Sequence, residues 1–214
     1  MDVMQFRHPC RRVPSAAIRW CATLLLSAVL TACGEGPLDP LVAKGNSEEI
    51  LTAVSAADVT STAIPEDEFA QLALAAINNA RATGQTCGDE LYPPVGAVLW
   101  NDRIAYASLL ESEWMQRDND FGHAWPDGTR VGDRLTMANY EWQHADENIA
   151  AGFRTLPEVI QAWIDSPSHC RALMRRDVSE TGLAVVPGAP GNTYVSYWTM
   201  VVAEPASNRR EALQ

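Results

Sequence analysis

Between residues 121 and 199 the chain carries, in this order, Phe121-Gly122-His123, Asp146-Glu147-Asn148-Ile149-Ala150, Ser166-Pro167-Ser168-His169, Glu180-Thr181-Gly182 and Tyr197-Trp198-Thr199. Each piece alone is weak, because histidines and acids occur in any loop; the ordered set is what decides the reading. His123 follows directly on a helical pattern, in a loop where neither burial nor helix geometry asks for an imidazole. His169 stands in the first turn of a helix opened by Pro167, and Glu180 just before a strand.

Working outward, Pro65 with Glu66, Asp67 and Glu68 puts a proline and three acids in a first helical turn, where the missing N–H costs nothing and negative charge meets the helix dipole. Phe69, Leu72, Ala73, Ala76, Ile77 and Ala80 recur at helical spacing, and Gly84 ends that helix as a C-terminal cap. A second helix starts near Asn101 and carries Ile104, Ala107, Leu110, Glu111 and Trp114 on one side before breaking at Asp118-Asn119-Asp120. The residues that follow read as irregular. Thr155 and Pro157 start a third helix, and Pro167 a shorter one through Met174. Two strand-like runs close the domain, 182–186 and 193–202, joined by a turn at Pro187-Gly188-Ala189-Pro190-Gly191. Helices on both sides of a small, mainly antiparallel sheet would bury these faces, an α+β arrangement.

The N-terminus reads as an address. Arg7, Arg11, Arg12 and Arg19 precede an apolar run from Trp20 to Leu30, which has the form of a signal peptide and is too short for a transmembrane helix. Leu30-Thr31-Ala32-Cys33 resembles the lipobox of bacterial lipoproteins, which implies cleavage after residue 32 and acylation of Cys33. The alternative is an ordinary signal peptide with Cys33 incidental. On the first reading the protein is exported and held to a membrane through Cys33. Gly34 after the cysteine, by resemblance to Gram-negative lipoproteins, favours the outer membrane, facing the periplasm or the cell surface. Residues 33–64 read as a flexible linker, 65–204 as one folded domain and 205–214 as a tail.

Removing residues 1–32 leaves 12 basic and 26 acidic residues, and 12 minus 26 is a net charge of −14. That balance argues against nucleic acid and against anionic headgroups as electrostatic partners. Of five cysteines, Cys10 and Cys21 go with the leader and Cys33 is lipidated, leaving Cys87 and Cys170. In an oxidising compartment the two are expected to pair, which over a span of 83 residues contributes roughly 4 kcal/mol in the chain-entropy model. The alternative is two free buried thiols. Cys170 adjoins His169, but neighbours on a helix point about 100° apart, a poor geometry for a cysteine–histidine nucleophile.

The ordered motifs resemble the CAP superfamily, which includes sperm-coating, cysteine-rich secretory and plant pathogenesis-related proteins, and in particular its bacterial, YkwD-like branch. The likeness runs from about Phe69 to Val202, and cysteines placed like Cys87 and Cys170 fit it. The resemblance implies a three-layer α-β-α sandwich with a cleft holding His123 and His169, with Glu147 as the acid and Glu180 as a second acid. It further implies that His123 and His169 hold a divalent ion, often zinc, in related proteins. Two function classes follow: an envelope module that binds a lipid, peptide or cell-wall ligand through the cleft, or a metal-dependent hydrolase of peptide or cell-wall material with Glu147 as base. The structural alternatives are that both histidines are hydrogen-bonded spacers, that Glu147 accepts from its own turn, and that Glu180 is structural. His144 reads as a surface residue, and Trp100, Trp114, Trp163 and Trp198 as packing. Three positions depart from the family pattern: Asp146 and Ser168 stand where glycine is usual, and Met200 where glutamine is, so a cleft hydrogen bond is expected to be missing.

Overall fold

In the computed structural model, residues 66–206 and the pair Met4–Gln5 are described. The leader, linker and Cys33 readings otherwise fall outside the described residues, as does the tail from residue 207. Helix α1 spans Glu66–Thr83, with its three acids in the first turn; Ala73, Ile77 and Ala80 are buried, and Gly84 at φ 70° ends it. Helix α2, Asp102–Asp118, is capped by the Asn101 side chain, which accepts from the Arg103 N–H at 3.0 Å, and stops at left-handed Asn119. Helix α3 is Val131–Met137, helix α4 is Leu156–Asp165 and helix α5 is Pro167–Leu173. α4 begins with a reciprocal cap, Thr155 and Glu158 each accepting the other's backbone N–H.

The strands are β1 (Met4–Gln5), β2 (Gln85–Cys87), β3 (Glu90–Tyr92), β4 (Leu99–Trp100), β5 (Trp142–Ala151), β6 (Glu180–Pro187) and β7 (Ser196–Pro205). β2 and β3 form a hairpin of their own; the main sheet has the order β1-β5-β7-β6-β4. β5 and β6 both run antiparallel to β7, while β4 and β1 add short parallel edges. β1 lies in the stretch read as leader, so only the uncut chain can make that pairing. The central strand β7 is buried at every position. Trp198, Met200 and Val202 pack under α1 and α4; Tyr197, Val201 and Ala203 face the opposite way, toward α2 and α3. This period-two split of one strand between two helical layers is the α-β-α sandwich.

Two expectations are corrected. The stretch after α2 read as irregular contains α3 and the ten-residue β5. The last strand starts at Ser196 rather than residue 193 and runs on to Pro205, past the domain end placed at 204. The disulfide is present, Cys87–Cys170, with Cα atoms 5.3 Å apart, and it staples the β2–β3 hairpin to α5. Arg81, fully buried, donates to the carbonyls of Gly96 (2.9 Å) and Leu173 (2.7 Å), tying α1 to the same corner.

The glycine of Glu180-Thr181-Gly182 has a packing reason. A Cβ at residue 182 would lie 2.1 Å from the backbone nitrogen of Ala105, so α2 rests on β6 only because that side chain is missing. Gly182→Ala is expected to lower the unfolding free energy by about 1–3 kcal/mol, the usual cost of overpacking. Urea denaturation checks this, and an unchanged midpoint would mean that α2 does not sit this close.

Candidate functional site

Glu147 is the hub. It lies on β5 next to the central strand, 3% exposed, paired in register with Val201. Its Oε1 meets His123 Nδ1 at 2.9 Å and its Oε2 accepts from the Arg134 guanidinium on α3. Arg134 is fully buried and also reaches Glu111 Oε2 on α2 at 2.8 Å. Trp125 Nε1 donates to that same oxygen at 2.7 Å, and the Trp125 ring stands against the guanidinium, 5.8 Å from its centroid. One guanidinium thus stands between two carboxylates, one of which holds an imidazole.

On the far side of the cleft, Asn148 turns inward from β5 and donates from Nδ2 to the His169 carbonyl at 2.9 Å. His169 Nδ1 lies 2.7 Å from Ser166 Oγ, one helical turn back. His123, Glu147, Asn148, Ser168 and His169 line one cleft of about 330 Å³. The two imidazoles, 46 positions apart in sequence, do share a pocket with Glu147. His123 Nε2 is buried and has no hydrogen-bond partner among the described residues.

The remaining expectations fare differently. Glu180 is not in the cleft: at the start of β6 it accepts from Tyr140 Oη (2.6 Å) and Asn101 Nδ2 (3.1 Å), because its strand lies beyond β7 from β5. The second acid near Glu147 is Glu111 instead. Sequence reasoning had placed Glu111 on the apolar side of α2 without drawing the consequence that a charge at a core position needs a buried partner. Nothing in the sequence around Arg134 marked it as that partner. Met200 packs beneath α1 and α4 and is not part of the cleft lining. Asp146 accepts from Arg175 at 2.7 Å, and Arg175 also reaches Asp177 at 2.8 Å, an ion pair that bridges β5 to the segment after α5. His144 is exposed; of the four tryptophans read as packing, Trp114, Trp163 and Trp198 are buried and Trp100, partly buried, packs against the core from its edge.

The divalent ion implied by the resemblance meets a mixed fit. An imidazole whose Nδ1 is fixed by a carboxylate is the usual posture of a metal-binding histidine, and His123 has it. Among the described residues, however, no group of three or more His, Cys, Asp or Glu side chains is arranged to hold a metal.

Residues 74–202 match the model of the cysteine-rich secretory protein (CAP) family, and the chain belongs to that family. Two proteins of Bacillus subtilis (strain 168) are similar in sequence. Uncharacterized membrane protein YlbC is 27% identical over 99 residues, 46% of this chain and 29% of YlbC. Uncharacterized protein YkwD is 25% identical over 99 residues, 46% of this chain and 36% of YkwD. The match therefore spans about a third of the length of these curated relatives. Among solved structures, an outer surface protein from Borrelia burgdorferi aligns with a TM-score of 0.56 at 17% identity, over 67% of this chain and 97% of that one. An extracellular protein containing a SCP domain from Bacillus anthracis str. Ames aligns at 0.51 and 22%, over 67% and 45%. At such identities the likeness concerns the fold.

Burial, with the charge of Glu147 added, pushes the Glu111 carboxyl up from 4.5 to about 8, although Arg134 and Trp125 pull the other way. A carboxyl whose pKa is raised on folding favours the folded state while it stays protonated, and that contribution is lost as pH rises through the folded value. Stability should therefore decline between about pH 4.5 and about 8 and then level. Glu111→Gln should flatten that decline in urea unfolding across the same range. An equal slope in both proteins would mean that Glu111 ionises normally.

Proposed function

We propose that this CAP protein is an exported, lipid-anchored envelope module that binds a ligand in the His123/Glu147/His169 cleft without turning it over. The observation that carries the reading is His123, a residue of the cleft lining: its Nδ1 is held by Glu147, and its Nε2 is buried with no hydrogen-bond partner among the described residues. A buried polar atom left unsatisfied is costly, and a ligand donor or acceptor placed there recovers that cost. The anchor at Cys33 would hold the domain at the membrane while residues 33–64 let it reach. The extracellular and outer-surface names of the two structural neighbours agree with export. Lipid, peptide and cell-wall fragments are the ligand classes an envelope offers.

The hydrolase reading finds one point of support, the fixed Nδ1 of His123, which suits zinc held by His123 and His169. It is weakened at the base. Both oxygens of Glu147 already accept a bond, one from His123 and one from Arg134, and the residue is 3% exposed. A general base must reach the proton it takes, and Glu147 is instead a positioning residue for the imidazole.

The test is a thermal-shift comparison of the purified protein with its His123→Ala and His169→Ala variants. Short peptides, cell-wall muropeptides and phospholipid micelles serve as probes, and bound zinc is measured in parallel. A probe that raises the Tm of the unsubstituted protein, does so less in His123→Ala, and is recovered intact supports binding. Stoichiometric zinc lost in both variants, together with hydrolysis of the probe by the unsubstituted protein alone, overturns it.

A further inference from the structure

We propose that the open edge of β6 is a second binding site, one that accepts an extended, basic peptide as an added strand. The starting point is topology. β4 covers β6 only at Glu180 and Thr181. Among the described residues, β6 from Gly182 onward therefore has a neighbour strand on the β7 side alone. The Thr181 carbonyl faces outward, accepting from the Asn101 N–H of the β4 side at 2.9 Å, and backbone groups alternate along a strand, so the open edge is made by the N–H and C=O groups of Leu183 and Val185; Pro187, next in that row, has no N–H to offer.

Alongside this edge lies a cavity of about 650 Å³, twice the volume of the His/Glu cleft. Phe69 and Ala70 of α1, Tyr106 and Leu109 of α2, and Leu183 and Val185 of β6 line it. Because α1 and α2 cover opposite faces of the sheet, a cavity that touches both must straddle the sheet's edge. It is a groove with a helix for each wall and strand backbone for its floor. No residue is shared between its lining and that of the His/Glu cleft, so the inference stands apart from the function proposed above.

The chemistry of the groove selects its occupant. Edge N–H and C=O groups call for hydrogen-bond partners, and a strand laid along them supplies these while sending alternate side chains to opposite walls. Both walls are apolar, and Tyr106 is half-exposed. Exposed edges are usually blunted by lysine, proline or a bulge; here Pro187 closes only the far end. The charged residues in the lining are Glu66, Asp67 and Asp102, with no arginine or lysine. Asp102 already accepts from Trp100 Nε1 at 3.0 Å, which leaves Glu66 and Asp67 to meet a basic side chain flanking the bound strand. A fatty acid would fill the walls but leave the strand edge unmet, and its carboxylate would face three others.

Amide hydrogen exchange of the purified protein tests this with the capped peptide Lys-Val-Thr-Val-Thr-Lys as probe. Exchange at the Leu183 and Val185 amides is expected to slow on addition of the peptide, while that at Ala184 and Val186, which face β7, serves as the internal reference. Tyr106→Glu should weaken binding about tenfold, a loss of about 1.4 kcal/mol, and Asp67→Lys, at an exposed position, should weaken it less. The same peptide with glutamate in place of lysine should bind more weakly than the parent. Unchanged exchange at the Leu183 and Val185 amides with the peptide in millimolar excess would overturn the proposal. So would binding that survives both substitutions, or displacement of the peptide by dodecanoate, which would make the groove an acyl-chain site.

Discussion

One guanidinium organises the interior of the cleft. Arg134 is the cation between Glu111 and Glu147, and each of these residues arrives on a different element: α3, α2 and β5. Without it, the Glu147 carboxylate would be buried beside the Glu111 carboxyl with no cation between them, and an uncompensated buried charge costs several kcal/mol. The cluster therefore fixes the packing of α2 and α3 against β5 while it aims Glu147 at His123. That rigidity has a chemical consequence. A glutamate held by both oxygens is fixed in place and orients the imidazole beside it.

The second half of the cleft is held by backbone and disulfide rather than by charge. Asn148 ties the His169 carbonyl to β5, Ser166 fixes the ring, and Cys87–Cys170 pins the helix that carries them. Adjacent residues of the Glu147-Asn148 pair thus serve the two histidines separately, one through a side-chain hydrogen bond and the other through a main-chain contact. Asp146, immediately before them, adds an ion pair to Arg175 that a glycine at that position could not make.

How much of this was legible follows from which forces act locally. The helices announced themselves because their signals are in their own sequence: acids in the first turn of α1, Asn101 and Thr155 as caps, Pro167 at the start of α5 and Gly84 past the end of α1. β5 did not, because its first half, Trp-Gln-His-Ala-Asp-Glu, is made largely of residues poor in strand propensity and its ladder with β7 comes from far along the chain. α3 is only seven residues long with a glycine inside. The histidines and Glu147 were found through the ordered motifs. Glu180 was placed in the cleft by the same route and lies elsewhere, since its motif serves the close contact of Gly182 with α2. Glu111 and Arg134 are tertiary partners, and tertiary pairing leaves little trace in a single sequence.

Glu147, 2.9 Å from Nδ1, is expected to hold His123 in a single tautomer and to leave Nε2 as the unpartnered nitrogen. Two-bond nitrogen–proton correlation spectra of the His123 ring, recorded where the imidazole is neutral, test it most directly. The account predicts the proton on Nδ1, with the preference lost in Glu147→Gln. A neutral ring protonated mainly on Nε2 in the unsubstituted protein would contradict it.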